Sequence, residues 1–230
     1  MILYVNGDSH SAAGEAVNDY CFANDDPKYP YSGRIPHPDN LRVSYGNMVG
    51  SLIKAKFICG AESASSNDRI IRTTKEFLER KQNEPVLVII GWSTWEREEW
   101  LYDDVYWQIN AGGVGEDWPD EIKERYKPWV AGLDLKKKVA QEHEKIHNFH
   151  LELAEKDIKH LFFNSFDAFD VAKQYDWGNN YVHPYDKTQS YYNYSLSAGC
   201  VPTKPNGYHF GPDAHTGWAR NLLKYLTKIL

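Results

Sequence analysis

The chain is poor in cysteine, with Cys21, Cys59 and Cys200 alone among 230 residues. Three is too few, and odd in number, for a disulfide framework. Cys59 lies in an apolar stretch as core filling, which fits a reducing compartment. No run approaches the 18 apolar residues of a membrane-spanning helix, and no basic segment precedes an apolar stretch at the N-terminus, so the expectation is a soluble, cytoplasmic protein. Excess basic charge is also missing: the net charge is −6 and the isoelectric point near 5.8. That balance speaks against partnership with nucleic acid or an anionic membrane and favours neutral or weakly charged ligands. There is no internal repeat and no low-complexity tract.

What is present suffices for one core. With 42% hydrophobic and 25% charged residues, residues 1–230 are expected to form a single globular domain. Apolar runs alternate with segments of helical period. Residues 2–6, 54–60, 86–90 and 160–164 read as strands, and a short fifth is placed near 199–202. Residues 67–81 form a helix with Ile70, Ile71, Thr74, Phe77 and Leu78 on one face. Residues 133–156 form another, with Val139, Ile146, Phe149 and Leu153 turned inward. The run at 86–90 is β-branched and leucine throughout, as in a parallel strand buried on both sides. The pattern implies an α/β fold: a three-layer α/β/α sandwich around a parallel, five-stranded, flavodoxin-like sheet of order 2-1-3-4-5.

In that order the first strand ends at the point where open α/β sheets bind ligands. There the strand runs into Gly7-Asp8-Ser9-His10, a turn that exposes a hydroxyl beside backbone N–H groups, with Asp8 bracing the turn and His10 within reach of a substrate. At the other end, Asn206-Gly207-Tyr208-His209-Phe210-Gly211-Pro212-Asp213 precedes an amphipathic helix over 216–230 that carries Trp218, Leu222, Leu223, Leu226 and Ile229. A histidine in that loop reaches back over the sheet edge toward Ser9.

This pairing of head and tail resembles the SGNH, or GDSL, hydrolase superfamily, and the resemblance implies Ser9 as nucleophile and His209 as base. The middle blocks depart from the family pattern. Ala64 stands at the expected glycine of the second block, where a backbone N–H survives the exchange. Gly91-Trp92-Ser93 replaces Gly-x-Asn in the third, leaving Ser93, with Asn67 nearby, to help hold an oxyanion beside the N–H groups of Ser9 and Ala64. Asn206 takes the place of the triad acid three residues before His209. An amide there costs about 10⁴ in rate in the serine proteases. Three outcomes stay open: Asp213 serves as the acid, a backbone carbonyl orients the ring, or the fold is kept and the reaction lost. The chain also resembles small uncharacterised SGNH-like proteins of large tailed bacteriophages, which implies a virus-encoded protein working in a host cytoplasm.

The activity so implied is a serine esterase acting on short-chain esters, with O-acetyl groups of a carbohydrate as the leading class, and needing no cofactor or metal. No apolar lid or exposed aliphatic helix supports a long-acyl substrate. Acyl transfer to another hydroxyl and a non-enzymatic member that binds glycan or a protein partner are the alternatives. Three aromatic-rich insertions, near 24–40, 92–129 and 175–198, are candidates for binding loops. Trp92 and Trp95 are candidate substrate contacts, against the alternative that the tryptophans fill a small satellite core. The Tyr- and Asn-rich third insertion suits a homo-oligomer contact as well as a substrate. Two decoys remain. His37-Pro38 and Asn180-Tyr181-Val182-His183 lack a helix of their own, and His143-Glu144-Lys145-Ile146-His147 spells a zinc-hydrolase helix. Charged neighbours and a flank position make the latter motif a solvated helix face.

Overall fold

The computed structural model describes residues 1–23, 35–81, 84–116 and 118–230. Residues 24–34 of the first insertion lie outside the described residues. Four strands form a parallel sheet: β1 (Ile2–Asn6), β2 (Lys56–Cys59), β3 (Val86–Trp92) and β6 (Lys159–Asn164), in the order β2-β1-β3-β6. Registers run unbroken from Ile2 opposite Lys56 and Val86, and from Leu87 opposite Lys159 to Trp92 opposite Asn164.

The period of two along each strand divides the core. Leu3, Val5, Leu87, Ile89, Leu161 and Phe163 face one layer, built by α2 (Tyr45–Leu52) and α7 (Pro212–Leu226). Ile2, Tyr4, Val88, Ile90 and Phe162 face the other, built by α3 (Asn67–Arg80) and α5 (Leu135–Glu155). Because both faces are covered, the central strands are apolar at nearly every position, and the three-layer arrangement follows. Helix starts are fixed by Ser44, Ser66 and Asp134, whose side chains accept from the backbone N–H groups of Asn47, Arg69 and Lys137.

The expected fifth strand near residues 199–202 is not formed. Pro202 makes an isolated antiparallel bridge to Phe210, and among the described residues the edge beyond β6 is met only by a one-residue parallel bridge from Tyr181 to Phe162. A proline has no N–H to continue a ladder, and Gly199 turns the chain at φ +83°. His37-Pro38, expected to lack a helix, opens the short α1 (Pro38–Arg42), with the His37 ring accepting from Asp39 N–H. The terminal helix starts four residues earlier than its hydrophobic period, so His215 lies inside it.

The second insertion holds a hairpin, β4 (Glu98–Tyr102) with β5 (Val105–Ile109), and α4 (Asp120–Ala131). Trp100, Trp107, Ile109, Ile122 and Tyr126 make its own small core, joined by Trp118 and Trp129. These indoles are packing groups. No helix among the described residues is long and apolar enough to cross a membrane.

The face of α5 expected to be solvated is instead covered. His143 Nε2 meets the Tyr185 hydroxyl at 3.0 Å, and His147 stacks on Tyr175 with ring centroids 3.9 Å apart. His150 Nδ1 donates to His160 Nε2 at 2.8 Å, because the other nitrogen of His160 faces the Ile158 carbonyl. The Phe169–Tyr185 stretch, rich in aromatics, supplies the cover the helix pattern could not announce. Among the described residues no further donor joins His143 and His147 in a metal-binding cluster, and Glu144 is exposed.

Burial lowers His143 and His150 to about 4 and His215 to about 3, with neighbouring imidazoles adding to the effect, against an ordinary value of 6.5. The unfolded chain therefore binds more protons than the folded one between these values and 6.5, so stability is complete above about pH 6.5 and falls as the pH drops toward 4. Thermal unfolding followed by circular dichroism should give a melting temperature at pH 5 roughly 5 °C or more below that at pH 7.5. An unchanged value would show that these rings are not buried in neutral form.

Candidate active site

Strand β1 ends in two residues that shape everything after it. The Asn6 carboxamide donates to the Ile70 carbonyl at 3.1 Å and to Thr74 Oγ1 at 2.9 Å, fixing α3 to the strand, and its oxygen accepts from Gly7 N–H at 2.8 Å. Gly7 then turns at φ +152°, and a Cβ built there would lie 2.1 Å from Ser11 Oγ and 2.7 Å from the Gly91 carbonyl oxygen. Only glycine fits. The turn that follows is closed by Ala12 N–H to the Asp8 carbonyl (3.0 Å) and Gly14 N–H to the Ser9 carbonyl (2.8 Å), which leaves the Ser9 side chain at the carboxyl edge of the sheet.

Ser9 Oγ lies 2.8 Å from His209 Nε2, and His209 Nδ1 lies 2.8 Å from Glu15 Oε2. A carboxylate only accepts, so the ring proton sits on Nδ1 and the Nε2 lone pair receives the serine hydroxyl. The carboxylate that meets His209 is thus Glu15, a residue the sequence did not single out. Asn206, expected in that place, is exposed and takes φ +58° at the tip of the loop, a conformation asparagine tolerates better than most residues. Asp213 is exposed in the first turn of α7. His209 is carried by a narrow loop, its carbonyl accepting from Thr203 N–H at 2.9 Å while Phe210 is buried beside it.

Glu15 reaches the ring because the backbone reverses at Ala13 (φ +55°) and Glu15 (φ +59°). Nothing in the residue types of Gly14-Glu15-Ala16 signals this. Burial opposes the charge on Glu15, but the Lys204 ammonium, 2.7 Å from Oε1, and the His209 ring hold its carboxyl below the usual carboxylate range. Burial, helped by the nearby His10 ring, lowers His209 despite Glu15, which favours the neutral imidazole.

The other expected site residues sit around this core. Glu62 N–H donates to the Gly7 carbonyl at 3.2 Å, tying the loop after β2 to the serine turn. Within that loop Ala64 has φ +63°, the left-handed region where glycine is the ordinary occupant. The Asn67 carboxamide oxygen accepts from Ser93 N–H at 2.9 Å, so this side chain braces the end of β3. Ser93 Oγ accepts from Arg97 Nη1 at 2.8 Å, leaving its own proton to donate, and Arg97 lies 3.6 Å from Asp8. Asp8 is buried, and although burial opposes its charge, His10 and Arg97 bring its carboxyl down to about 2.

His10 is not open to a substrate. Its Nδ1 meets Asp8 at 3.0 Å and its Nε2 the Tyr208 carbonyl at 3.2 Å. Trp92 is fully buried against Phe149 and Phe162, and Trp95 stacks on Phe169 within the core, so neither ring has a face to offer. Aromatic surface at the site comes from elsewhere. Phe166 lies 6.3 Å from the His10 ring, stacks on Tyr192 at 4.5 Å and meets Tyr208 edge-on at 5.7 Å, and Tyr208 is 58% exposed.

No family model and no curated protein matches the chain by sequence. Among solved structures it is similar to LAE5, an α/β-hydrolase enzyme from the metagenome of Lake Arreo, Spain, at 9% identity and a TM-score of 0.45 over 99% of this chain and 95% of that one. It is also similar to the acetyl xylan esterase Est2A of the rumen bacterium Butyrivibrio proteoclasticus, at 13% identity and a TM-score of 0.42, spanning 98% of this chain and 63% of that one.

Gly7→Ala should destabilise the fold by about 3 kcal/mol or more, since both the backbone and Ser11 stand where the methyl group would go. Urea unfolding checks this, and a loss under 1 kcal/mol would mean the turn is not packed as described.

Proposed function

We propose that the protein is a serine esterase of SGNH type that hydrolyses short-chain esters, with O-acetyl groups of a carbohydrate as the substrate class. The observation that carries the reading is the unbroken hydrogen-bonded chain from Glu15 through His209 to Ser9. Glu15 fixes the tautomer and stabilises the imidazolium that forms when His209 takes the Ser9 proton. Ser9 Oγ attacks the ester carbonyl, and the oxyanion is held by the backbone N–H groups of Ser9 and Ala64 with the Ser93 hydroxyl. His209 returns the proton to the departing alcohol. Water, activated by the same imidazole, then releases the acid. With Glu15 in place, Asn206 does not disable the site.

Support for the carbohydrate class comes from Phe166, Tyr192 and Tyr208, whose ring faces and edges at the sheet's carboxyl end suit the C–H surfaces of a pyranose.

Hydrolysis of p-nitrophenyl acetate should be abolished in Ser9→Ala, together with the mass gained from a fluorophosphonate. Glu15→Gln should lose about 10²–10⁴ in kcat, while Asn206→Ala and Asp213→Asn stay within about twofold of the parent. Equal losses in Asn206→Ala and Glu15→Gln would reject the proposed acid, and an inert, folded protein would reject the esterase. Tyr208→Ala should raise KM about 2–10-fold for a partially O-acetylated oligosaccharide, with p-nitrophenyl acetate turnover unaffected. Equal effects on both esters would remove the ground for the carbohydrate class.

A further inference from the structure

The thiol of Cys21 lies beside the proposed catalytic residues without a part in the reaction. One donor atom from each of Glu15, Cys21 and His209 falls within 4.8 Å of the others. The approach is permitted by Gly14, where an added Cβ would lie 3.2 Å from Cys21 Sγ and 3.4 Å from Ser9 Cβ. A thiol, an imidazole and a carboxylate are the three donor types that bind zinc, which holds sulfur at about 2.3 Å and nitrogen or oxygen at about 2.0–2.2 Å. In a tetrahedral site such donors stand about 3.3–3.6 Å apart, so no pair here needs to close by more than about 1.5 Å, within the range of side-chain rotation. A cation already pairs with one of these donors, since the Lys204 ammonium sits 2.7 Å from Glu15 Oε1 on a half-exposed, flexible side chain.

We propose that Glu15, Cys21 and His209 form an inhibitory site for a thiophilic divalent cation, zinc above all. The inhibitory half rests on the esterase reading; the binding half does not. On binding, Cys21 loses its thiol proton to solvent and becomes a thiolate ligand. The metal takes the Nδ1 lone pair of His209, so the one proton of the neutral ring moves to Nε2. That nitrogen then has no lone pair to accept the Ser9 proton. Glu15 exchanges its hydrogen bond to the ring for a bond to the metal, and the ammonium of Lys204 leaves. The nucleophile is disarmed without any obstruction of the substrate cleft. Three protein ligands leave the fourth position of the metal to water.

The test uses the full chain and two metals. Cobalt(II), titrated in place of zinc, should give a thiolate-to-cobalt charge-transfer band in the near ultraviolet at one equivalent. That band should vanish in Cys21→Ser, with metal affinity at least 10-fold weaker by chelator competition, and Lys204→Met should bind more tightly than the parent. Zinc at one equivalent should suppress p-nitrophenyl acetate hydrolysis at least 10-fold in the parent and less than twofold in Cys21→Ser, each relative to its own metal-free rate. A parent without the band, or a Cys21→Ser variant that binds as well as the parent, overturns the site. Equal inhibition of the two by zinc, or a rate that holds or rises when metal is bound, overturns the inhibitory role. A protein that shows the Cys21-dependent band but hydrolyses no ester overturns the esterase and the inhibition together, and leaves the metal site standing.

Discussion

The bond between Glu15 and His209 joins residues 194 positions apart in the chain, and the candidate site exists only because both ends reach it. Strand β1 supplies the fixed end. It lies between β2 and β3 in the sheet's interior, and Asn6, Gly7 and the Glu62 N–H hold the turn that follows. Ser9 and Glu15, the proposed nucleophile and acid, both belong to this one turn, six residues apart. His209, the proposed base, arrives on a loop whose own anchors are Phe210 and the start of α7. A serine hydroxyl and an imidazole contribute little net energy by themselves when they meet. The loop is therefore placed by burial of Phe210 and Ala214, and by the Lys204 contact to Glu15, with the His209 bonds as the consequence.

Much of the fold could be read from the residues because parallel strands buried on both faces leave an unusual mark. Ile2 to Asn6 and Val86 to Ile90 have almost no polar position, which few other elements share. The amphipathic period of α3 and α5 was equally plain. The failures have physical causes. Gly199 to Pro202 has strand-like neighbours but no ladder to join, and pairing with the sheet edge depends on backbone that lies far away in sequence. The face of α5 carrying His143, His147 and His150 reads as polar, yet Tyr175, Trp177 and Tyr185 fold over it. Polarity of a side chain says whether it needs partners and not whether those partners are water.

At the site, Ser9 and His209 stood out because they sit in turn chemistry at the two ends of the chain, next to elements whose positions the sheet dictates. Glu15 did not, because its place depends on two non-glycine residues in the left-handed region, Ala13 and Glu15 itself. Backbone reversals of that kind leave no trace in residue type, whereas Asn206 carried a familiar spacing and misled. Its asparagine is suited to the φ of +58° at the loop tip, a demand of the turn. Trp92 and Trp95 misled in the same way, since aromatic composition does not distinguish a ring that fills a core from one that faces a ligand.

A carboxylate that meets the ring from the serine's turn, and not from the histidine's own loop, changes how the charges must be balanced. A carboxylate next to the ring raises its affinity for protons, and a base that holds a proton at neutral pH cannot accept one. Here three effects oppose that pull: burial of the ring, the neighbouring His10, and Lys204, which shares the charge of Glu15. Asp8, also close, pulls in the same direction as Glu15, while His10 and Arg97 bond to it directly. The same Arg97 bonds to Ser93 Oγ, which links the electrostatics of the serine turn to the end of β3. The turn at residues 7–15 thus positions Ser9, Glu15 and the tie to the loop after β2 at once, and a displacement of about 1 Å there would disturb all three.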